Sequence, residues 1–489
     1  MVSISFYPVL YRTKRYGLAF CVLIAVLSCN REVRNSADNN IHTLKPKCVV
    51  LDRVLREKKL VATTDYNSTN YFVYRGEPMG YQYELLKSFA EYLNVKLEIK
   101  IINDVEQSFE CINLDQCDLI ALGLTVTRER SKIVDFSEPL NQTRQMLVQR
   151  KPVNWRKMKT MDEIESELIR NPLDLAGRTV YIQKNTIFKS RLQNLSDEIG
   201  ADINIVEDPD ATVEELIDKV AKGEIDYTIS DEYIALVNRK YYPDIDVNTA
   251  ISFSQNVAWA VKKGASGLMD TLNTWLTDFK KSRKYVFLYN KYFKNSRTVN
   301  IAKSDYFSVD GGKISPYDQY IKKYSKLIGW DWRLLASLIY QESQFYPEAR
   351  SWAGAFGLMQ LMPHTAEKFG IDSLSSPEDQ IKAGVDFIKL LDKQFQDKIK
   401  DKNERTKFVL ASYNAGIAHV YDARRLAEKY EHDPNIWENN VDFYLLNKSK
   451  PEFYNDSVVK YGYCRGDEPY NFVYEILDRY EHYKNVLTN

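Results

Sequence analysis

Glu342-Ser-Gln-Phe-Tyr-Pro-Glu-Ala-Arg-Ser-Trp-Ala-Gly-Ala-Phe-Gly-Leu-Met-Gln-Leu-Met-Pro-His-Thr-Ala366 decides the fold of the C-terminal part of this 489-residue chain. Just upstream, Trp332, Leu335, Ile339 and Glu342 recur at helical spacing, and Asp331 is suited to cap the first turn. The spacing predicts an apolar helix over 332–340 with one carboxylate at its end, then a small-residue turn, then a second helix beginning near Gly357. A carboxyl group at a helix C-terminus, set against apolar side chains, resists ionisation because dipole and desolvation both disfavour the anion. Such a group keeps its proton near neutral pH and is equipped for general acid catalysis. A Glu at a helix end is by itself ordinarily a solvated surface residue, so the surrounding pattern has to carry the reading.

That pattern resembles, almost without gaps, the signature of the soluble-lytic-transglycosylase family, which cleaves peptidoglycan glycan strands. The resemblance implies an all-α lysozyme-like domain and a single catalytic carboxylate where most glycosidases use two. It implies that Glu342 protonates the oxygen linking N-acetylmuramic acid to N-acetylglucosamine, then takes the proton of the muramyl 6-hydroxyl as that oxygen closes a 1,6-anhydro ring. By the same resemblance Ser351, Gln360 and Met362 occupy sugar-contacting positions. A second block, Leu410-Ala-Ser-Tyr-Asn-Ala-Gly416, puts Tyr413 and Asn414 toward the cleft. A third, Glu468-Pro-Tyr-Asn-Phe-Val473, departs from the family's Glu-Thr-x-x-Tyr-Val at Pro469 and Phe472; Glu468 is its glycan-binding candidate.

Working outward, the length suggests roughly three compact units. Lys+Arg and Asp+Glu both total 67, so no global field recruits nucleic acid, and no nucleic-acid partner is expected. The 34 Tyr and 7 Trp supply core and surface aromatics, with sugar-stacking platforms as the alternative. Arg12, Lys14 and Arg15 precede an apolar run over 18–27, too short to span a bilayer, which reads as an export signal over 1–28. Leu27-Ser28-Cys29 resembles a lipoprotein lipobox, implying lipidation at Cys29 and a membrane lipid anchor; Asn30, which is not a retention Asp, favours by the same resemblance the periplasmic face of the outer membrane over the inner membrane. The polar, aperiodic residues that follow read as a tether, assigned 29–57. In an oxidising compartment Cys111 and Cys117 are close enough in sequence to bridge, though spacing alone does not pair them. The five His are scattered and no Cys/His cluster has ligand spacing, so neither a metal site nor a cofactor is expected.

Residues 58–296 alternate between strand and helix patterns: strands at 60–64, 95–102, 118–122, 178–183, 225–230 and 255–261, helices over 83–93 and 212–222. This rhythm predicts a two-lobed α/β domain with largely parallel sheets. Gly311-Gly312 and Pro316 place a linker at 297–315, and 316–489 reads as the all-α catalytic domain. Gly123-Leu-Thr-Val-Thr-Arg-Glu-Arg-Ser-Lys-Ile-Val-Asp-Phe-Ser-Glu-Pro139 resembles the family 3 periplasmic solute-binding proteins, as do Gly80-Tyr-Gln-Tyr-Glu-Leu and Tyr289-Asn-Lys-Tyr-Phe293. The resemblance implies a periplasmic-binding-protein-like fold and a small peptide or amino-acid ligand. Arg130 would grip its carboxylate, Thr125 and Thr186 would supply hydroxyls, and Asp231 would receive its amino group. Two other functions fit the same residues: a nutrient receptor held to the wall by its C-terminal domain, and a hydrolytic muramidase on the same lysozyme-like fold.

Overall fold

The computed structural model describes residues 49–294, 304, 306–308 and 312–487. Cys29, the export signal and the first part of the tether lie outside the described residues, as does most of the linker. The tether gives way to folded structure earlier than expected. Val49–Glu57 is a helix whose Val54 is buried and whose Arg53 pairs with Asp118. Val50, Leu51 and Val54 recur on one face, and that stripe packs on the Ser266–Phe279 helix.

The first lobe is a sheet ordered β4 (Lys96–Ile101), β1 (Lys59–Thr64), β5 (Leu119–Thr125), β13 (Gln255–Lys262), β6 (Val134–Phe136), with β7 (Asn141–Thr143) also on β13. The second is ordered β10 (Asn204–Asp208), β9 (Thr179–Gln183), β11 (Tyr227–Asp231), β8 (Gln145–Arg150), β12 (Ile245–Ala250). β1 runs parallel to β4 and β5, and β9 parallel to β10 and β11. β13 and β8 run antiparallel to their neighbours, so the sheets are mixed rather than largely parallel. Connectivity explains the difference. The chain crosses from β7 to β8 through Arg144 alone and returns from β12 to β13, so the crossing strands enter each sheet from the opposite end. These two crossovers form the hinge side of the domain.

Phe307, in the segment expected to be a linker, is buried edge-on against Phe72 at 5.2 Å and bridges Tyr74; Ser308 Oγ accepts the Val73 N–H at 2.8 Å. This part of the linker is therefore seated on the hairpin of β2 (Phe72–Tyr74) and β3 (Glu77–Met79). Beyond it the chain is helical. Asp331 accepts the Arg333 N–H to cap Trp332–Ser343, and Ser376 accepts the Asp379 N–H to cap Pro377–Phe395. The helix expected near Gly357 begins instead at Pro363, as Pro363–Lys368. Gly357 has φ 79°, Gln360 has φ 45°, and the Gln380 carboxamide lies where a side chain on Gly357 would go, so residues 357–361 turn where their composition reads as helix.

The C-terminal helix, Asp467–Val486, runs about 30 Å from the neighbourhood of Glu342 to the first lobe. At the lobe end His482 Nδ1 meets Tyr71 Oη at 2.8 Å, Tyr483 Oη donates to the Gly76 carbonyl at 2.7 Å, and Asn485 Nδ2 donates to the Ile99 carbonyl at 3.0 Å. Its N-terminus is fixed by Gly466, against which the Leu445 carbonyl packs too closely for any Cβ. Just before it, Lys448 is fully buried on Asp422 (2.8 Å), His419 Nδ1 (2.8 Å) and the Gly462 carbonyl (2.7 Å). Asp422 also accepts the N–H groups of Lys460 and Tyr461, so this ion pair holds the loop that leads into the helix.

Candidate functional site

Glu342 is the penultimate residue of its helix and is half-buried. Burial, and then the Glu468 charge, push its carboxyl up to about 8. The backbone turns away from it through Gln344 (φ 50°) and Phe345 (φ 61°), two non-glycine residues in the left-handed region. That strain is held by Phe345, buried against Tyr340 with ring centroids 5.7 Å apart, and by Ser343 Oγ, which donates to the Leu358 carbonyl at 2.8 Å. The turn returning from Leu358 is thereby tied to the helix end that carries the acid.

Tyr413 comes from Lys402–Ala415, and its hydroxyl donates to the Met359 carbonyl at 2.6 Å. Burial, then the nearby Glu342 carboxylate, hold its phenol well above 10. Asn414 is half-buried beside it. Glu468 is exposed in the first turn of the C-terminal helix, within electrostatic reach of Glu342 despite the block's departures from its pattern. Gln360 spends its amide nitrogen on the carbonyls of Ala349 (3.0 Å) and Gly357 (2.8 Å), leaving its side-chain oxygen as the remaining polar atom. Ser351 Oγ accepts the Ala355 N–H at 3.0 Å, and Met362 is 46% exposed at the cap of the next helix. Glu342, Tyr413 and Glu468 are thus coupled electrically. Ser351, Gln360 and Met362 belong to the loop that follows the acid.

In the two-lobed α/β half, Arg130 of the first lobe faces Asp231 at the end of β11. The guanidinium donates to the Thr125 carbonyl at 3.1 Å; burial lowers it to about 10, with Asp231 opposing. Burial, and then a second carboxylate, Asp65, against the opposing pull of Arg130, push Asp231 up to about 7, and its Oδ1 is buried without a hydrogen bond. Asp65 is pushed up to about 7 by the same burial while accepting from Asn70 Nδ2 at 2.7 Å and Asn67 Nδ2 at 2.5 Å. Thr125 is buried at the base of the cleft. Thr186 donates to the Gln183 carbonyl at 2.7 Å, and among the described residues no hydrogen bond joins it to Arg130. The lobes touch across the cleft: Ser68 N–H donates to Glu214 (3.0 Å) and Asn185 Nδ2 to Asp104 (2.9 Å). Asp65 was missed by the sequence reading. Its place just past the C-terminal end of a central parallel strand is where open α/β sheets bind ligands, and that rule was available.

One guanidinium and two carboxyls that give up their protons reluctantly make a cleft suited to a small zwitterion. One high-pKa carboxyl beside a strained turn makes a site suited to proton transfer.

Comparison with known proteins agrees with this division. Residues 59–295 match the bacterial extracellular solute-binding proteins, family 3, and residues 319–436 match the transglycosylase SLT domain. A membrane-bound lytic murein transglycosylase F from Desulfosudis oleivorans is 36% identical over 435 residues, covering 88% of this chain and 90% of that protein. One from Pseudomonas putida is 31% identical, covering 88% and 86%. Among solved structures, an ancestral arginine-binding protein bound to arginine is 25% identical with TM-score 0.41, covering 48% of this chain and 98% of its own. The chain belongs to the membrane-bound lytic murein transglycosylase F family: it is a peptidoglycan lytic transglycosylase with a family 3 solute-binding module ahead of its catalytic helices.

Proposed function

We propose that Glu342 is the only proton-transfer group of the reaction, acting first as acid and then as base, and that the products end in 1,6-anhydro-N-acetylmuramic acid. The observation that carries this reading is a carboxyl held at about 8, so that it is protonated before the reaction and a competent base after it. Glu342 gives its proton to the glycosidic oxygen as the bond from muramyl C1 to that oxygen breaks. The substrate's acetamido group supports the electron-poor C1. The muramyl 6-hydroxyl then loses its proton to Glu342 while its oxygen bonds C1, so the enzyme ends as it began and no water is consumed. Ser351, Gln360, Met362, Tyr413, Asn414 and Glu468 contact the glycan; the fixed amide of Gln360 directs its carbonyl oxygen to a sugar N–H or O–H. Mass spectrometry of digested sacculi tests the chemistry. Anhydro ends from wild type and none from Glu342→Gln are expected, whereas reducing ends carrying one added water would identify a hydrolytic muramidase.

In the receptor half, Arg130 and Thr125 take the carboxylate of an amino acid or short peptide, Asp231 and Asp65 its amino group, and Thr186 a further polar contact. Cys29 carries the lipid anchor that holds the enzyme at the periplasmic face of the outer membrane. Ligand-driven movement of the lobes regulates cleavage through the helix Asp467–Val486, which has Glu468 at one end and the first lobe at the other. A saturating ligand that left the rate of muropeptide release unchanged would remove the regulatory part of this reading.

A further inference from the structure

Cys111 and Cys117 flank a helix end whose backbone brings them together. The helix Val105–Asn113 stops at Leu114, and the chain then closes back on it. Gln116 N–H donates to the Cys111 carbonyl at 2.9 Å, and Asp115 N–H to the Ile112 carbonyl at 3.3 Å. This is the paired bonding of a Schellman turn, whose left-handed position ordinarily belongs to glycine. Asp115 occupies it here at φ 56°, a strained place for a residue with a Cβ. Cys117 N–H is drawn onto the same Cys111 carbonyl at 3.3 Å. A hydrogen bond from one residue's N–H to another's carbonyl sets their Cα atoms about 5–6 Å apart, inside the span that a disulfide bridges.

The side chains follow the backbone. Residues 113–116 are exposed, whereas Cys111 and Cys117 are both buried, in a cluster with Phe109, Ile112, Ile120 and Leu122. The Cys117 thiol lies within hydrogen-bond reach of the Cys111 thiol; burial, and then that contact, hold it well above its usual range. Thiols shut away in this manner are inert in the folded protein, which removes a redox sensor from consideration and requires that any oxidation precede burial. Among the described residues no group of His, Cys, Asp and Glu is placed to hold a metal ion. Peptidoglycan lies outside the cytoplasmic membrane, where paired thiols are oxidised rather than kept reduced. The turn is also worth clamping. Asp118, next to Cys117, accepts the Val61 N–H at 2.9 Å and pairs with Arg53. β5 starts one residue later and ends at Thr125, whose carbonyl holds Arg130.

We infer that Cys111 and Cys117 are joined by a disulfide in the exported protein, clamping this turn at the root of β5 and offsetting the strain at Asp115. As the chain folds, the two thiols give up two protons and two electrons to the disulfide of an envelope thiol oxidase. The exchange passes through a mixed disulfide, and the oxidase leaves with both of its sulfurs as thiols. The inference stands on the geometry of the pair and on where peptidoglycan lies, and is independent of the chemistry at Glu342. The test uses the full chain exported by a bacterial host. Cells are quenched in acid, and thiols are alkylated with N-ethylmaleimide in denaturant without reductant. Trypsin then leaves residues 101–128 as one peptide, bounded by Lys100 and Arg128 and holding both cysteines. Mass spectrometry should find this peptide about 2 Da below its dithiol mass and unlabelled, taking two maleimides only after reduction. Two maleimides on most of the peptide before reduction would overturn the inference. So would a peptide in which Cys111 or Cys117 is linked to Cys48, to Cys464 or to a second chain.

Discussion

Glu342→Gln keeps the shape of the side chain and removes its titration, and its effect on stability is as informative as its effect on rate. A carboxyl moved from its ordinary 4.5 to about 8 marks an anion that the folded protein disfavours. At about 1.4 kcal/mol per tenfold change in affinity for the proton, the penalty approaches 5 kcal/mol once pH exceeds 8, less whatever water at the cleft mouth returns. The sign follows from proton counting. Between 4.5 and 8 the folded state binds more protons than the unfolded chain, so this contribution is complete below 4.5 and is lost as pH rises through 8. Gln never ionises, so the variant escapes the loss. Thermal unfolding of the catalytic transition from pH 4 to 9 should give curves that agree near pH 4, separate steadily between 4.5 and 8, and run parallel above that. At pH 9 the variant should unfold higher by up to roughly 10–20 °C, since a domain of this size shifts about 2–4 °C per kcal/mol. Its rate should fall by about 10²–10⁴, the usual worth of a general acid. Glu468→Gln supplies an independent arm: without that like charge Glu342 ionises more readily, and the basic limb of the pH–rate profile moves to lower pH. Stability curves for wild type and Glu342→Gln that stay parallel across the whole range would refute the desolvated-acid argument.

Arg130→Ala should weaken amino-acid or short-peptide binding to the receptor half at least tenfold by calorimetry, because its guanidinium is the buried cation of the cleft; affinity retained within twofold would contradict the assignment. Asp65 and Asp231, both at about 7, should release protons when a cationic amino group arrives, so binding enthalpies near pH 7 should vary with buffer ionisation heat, an effect lost at pH 9. Lys448→Met should cost about 3 kcal/mol in denaturant unfolding by leaving buried Asp422 with Arg425 as its remaining cation, and adding Asp422→Asn should recover part of that loss.

The alternation of strand and helix patterns, the helix caps at Asp331 and Ser376, and the change to an all-helical half were legible because each is written in local spacing. What stayed hidden depends on contacts distant in sequence. Residues 357–361 are apolar enough to read as helix, and only the Gln380 side chain packed on Gly357, with the left-handed Gln360, makes them a turn. The antiparallel strands β8 and β13 follow from crossovers between lobes, which no window of a few residues reports. In the candidate sites, residue types were legible and states were not. Gln360 has the right chemistry for a sugar contact, yet its amide is committed to two carbonyls. Thr186 commits its hydroxyl proton to Gln183. Asp65 carries no local mark apart from the strand it follows, and its raised carboxyl arises from burial between lobes that meet only in the folded domain.

The helix Asp467–Val486 belongs to two cores at once: Val473 and Ile476 lie among the catalytic helices, while His482 and Tyr483 bond to groups of the first lobe. Severing the chain ahead of residue 316 would therefore leave a half-dressed rod, with the buried His482 ring stripped of its two tyrosine neighbours and Tyr483 of its carbonyl acceptor. The modules are not interchangeable cassettes. A foreign receptor grafted onto these catalytic helices would have to reproduce the β2–β3 hairpin that receives them, so evolutionary shuffling of either half must carry this seam along.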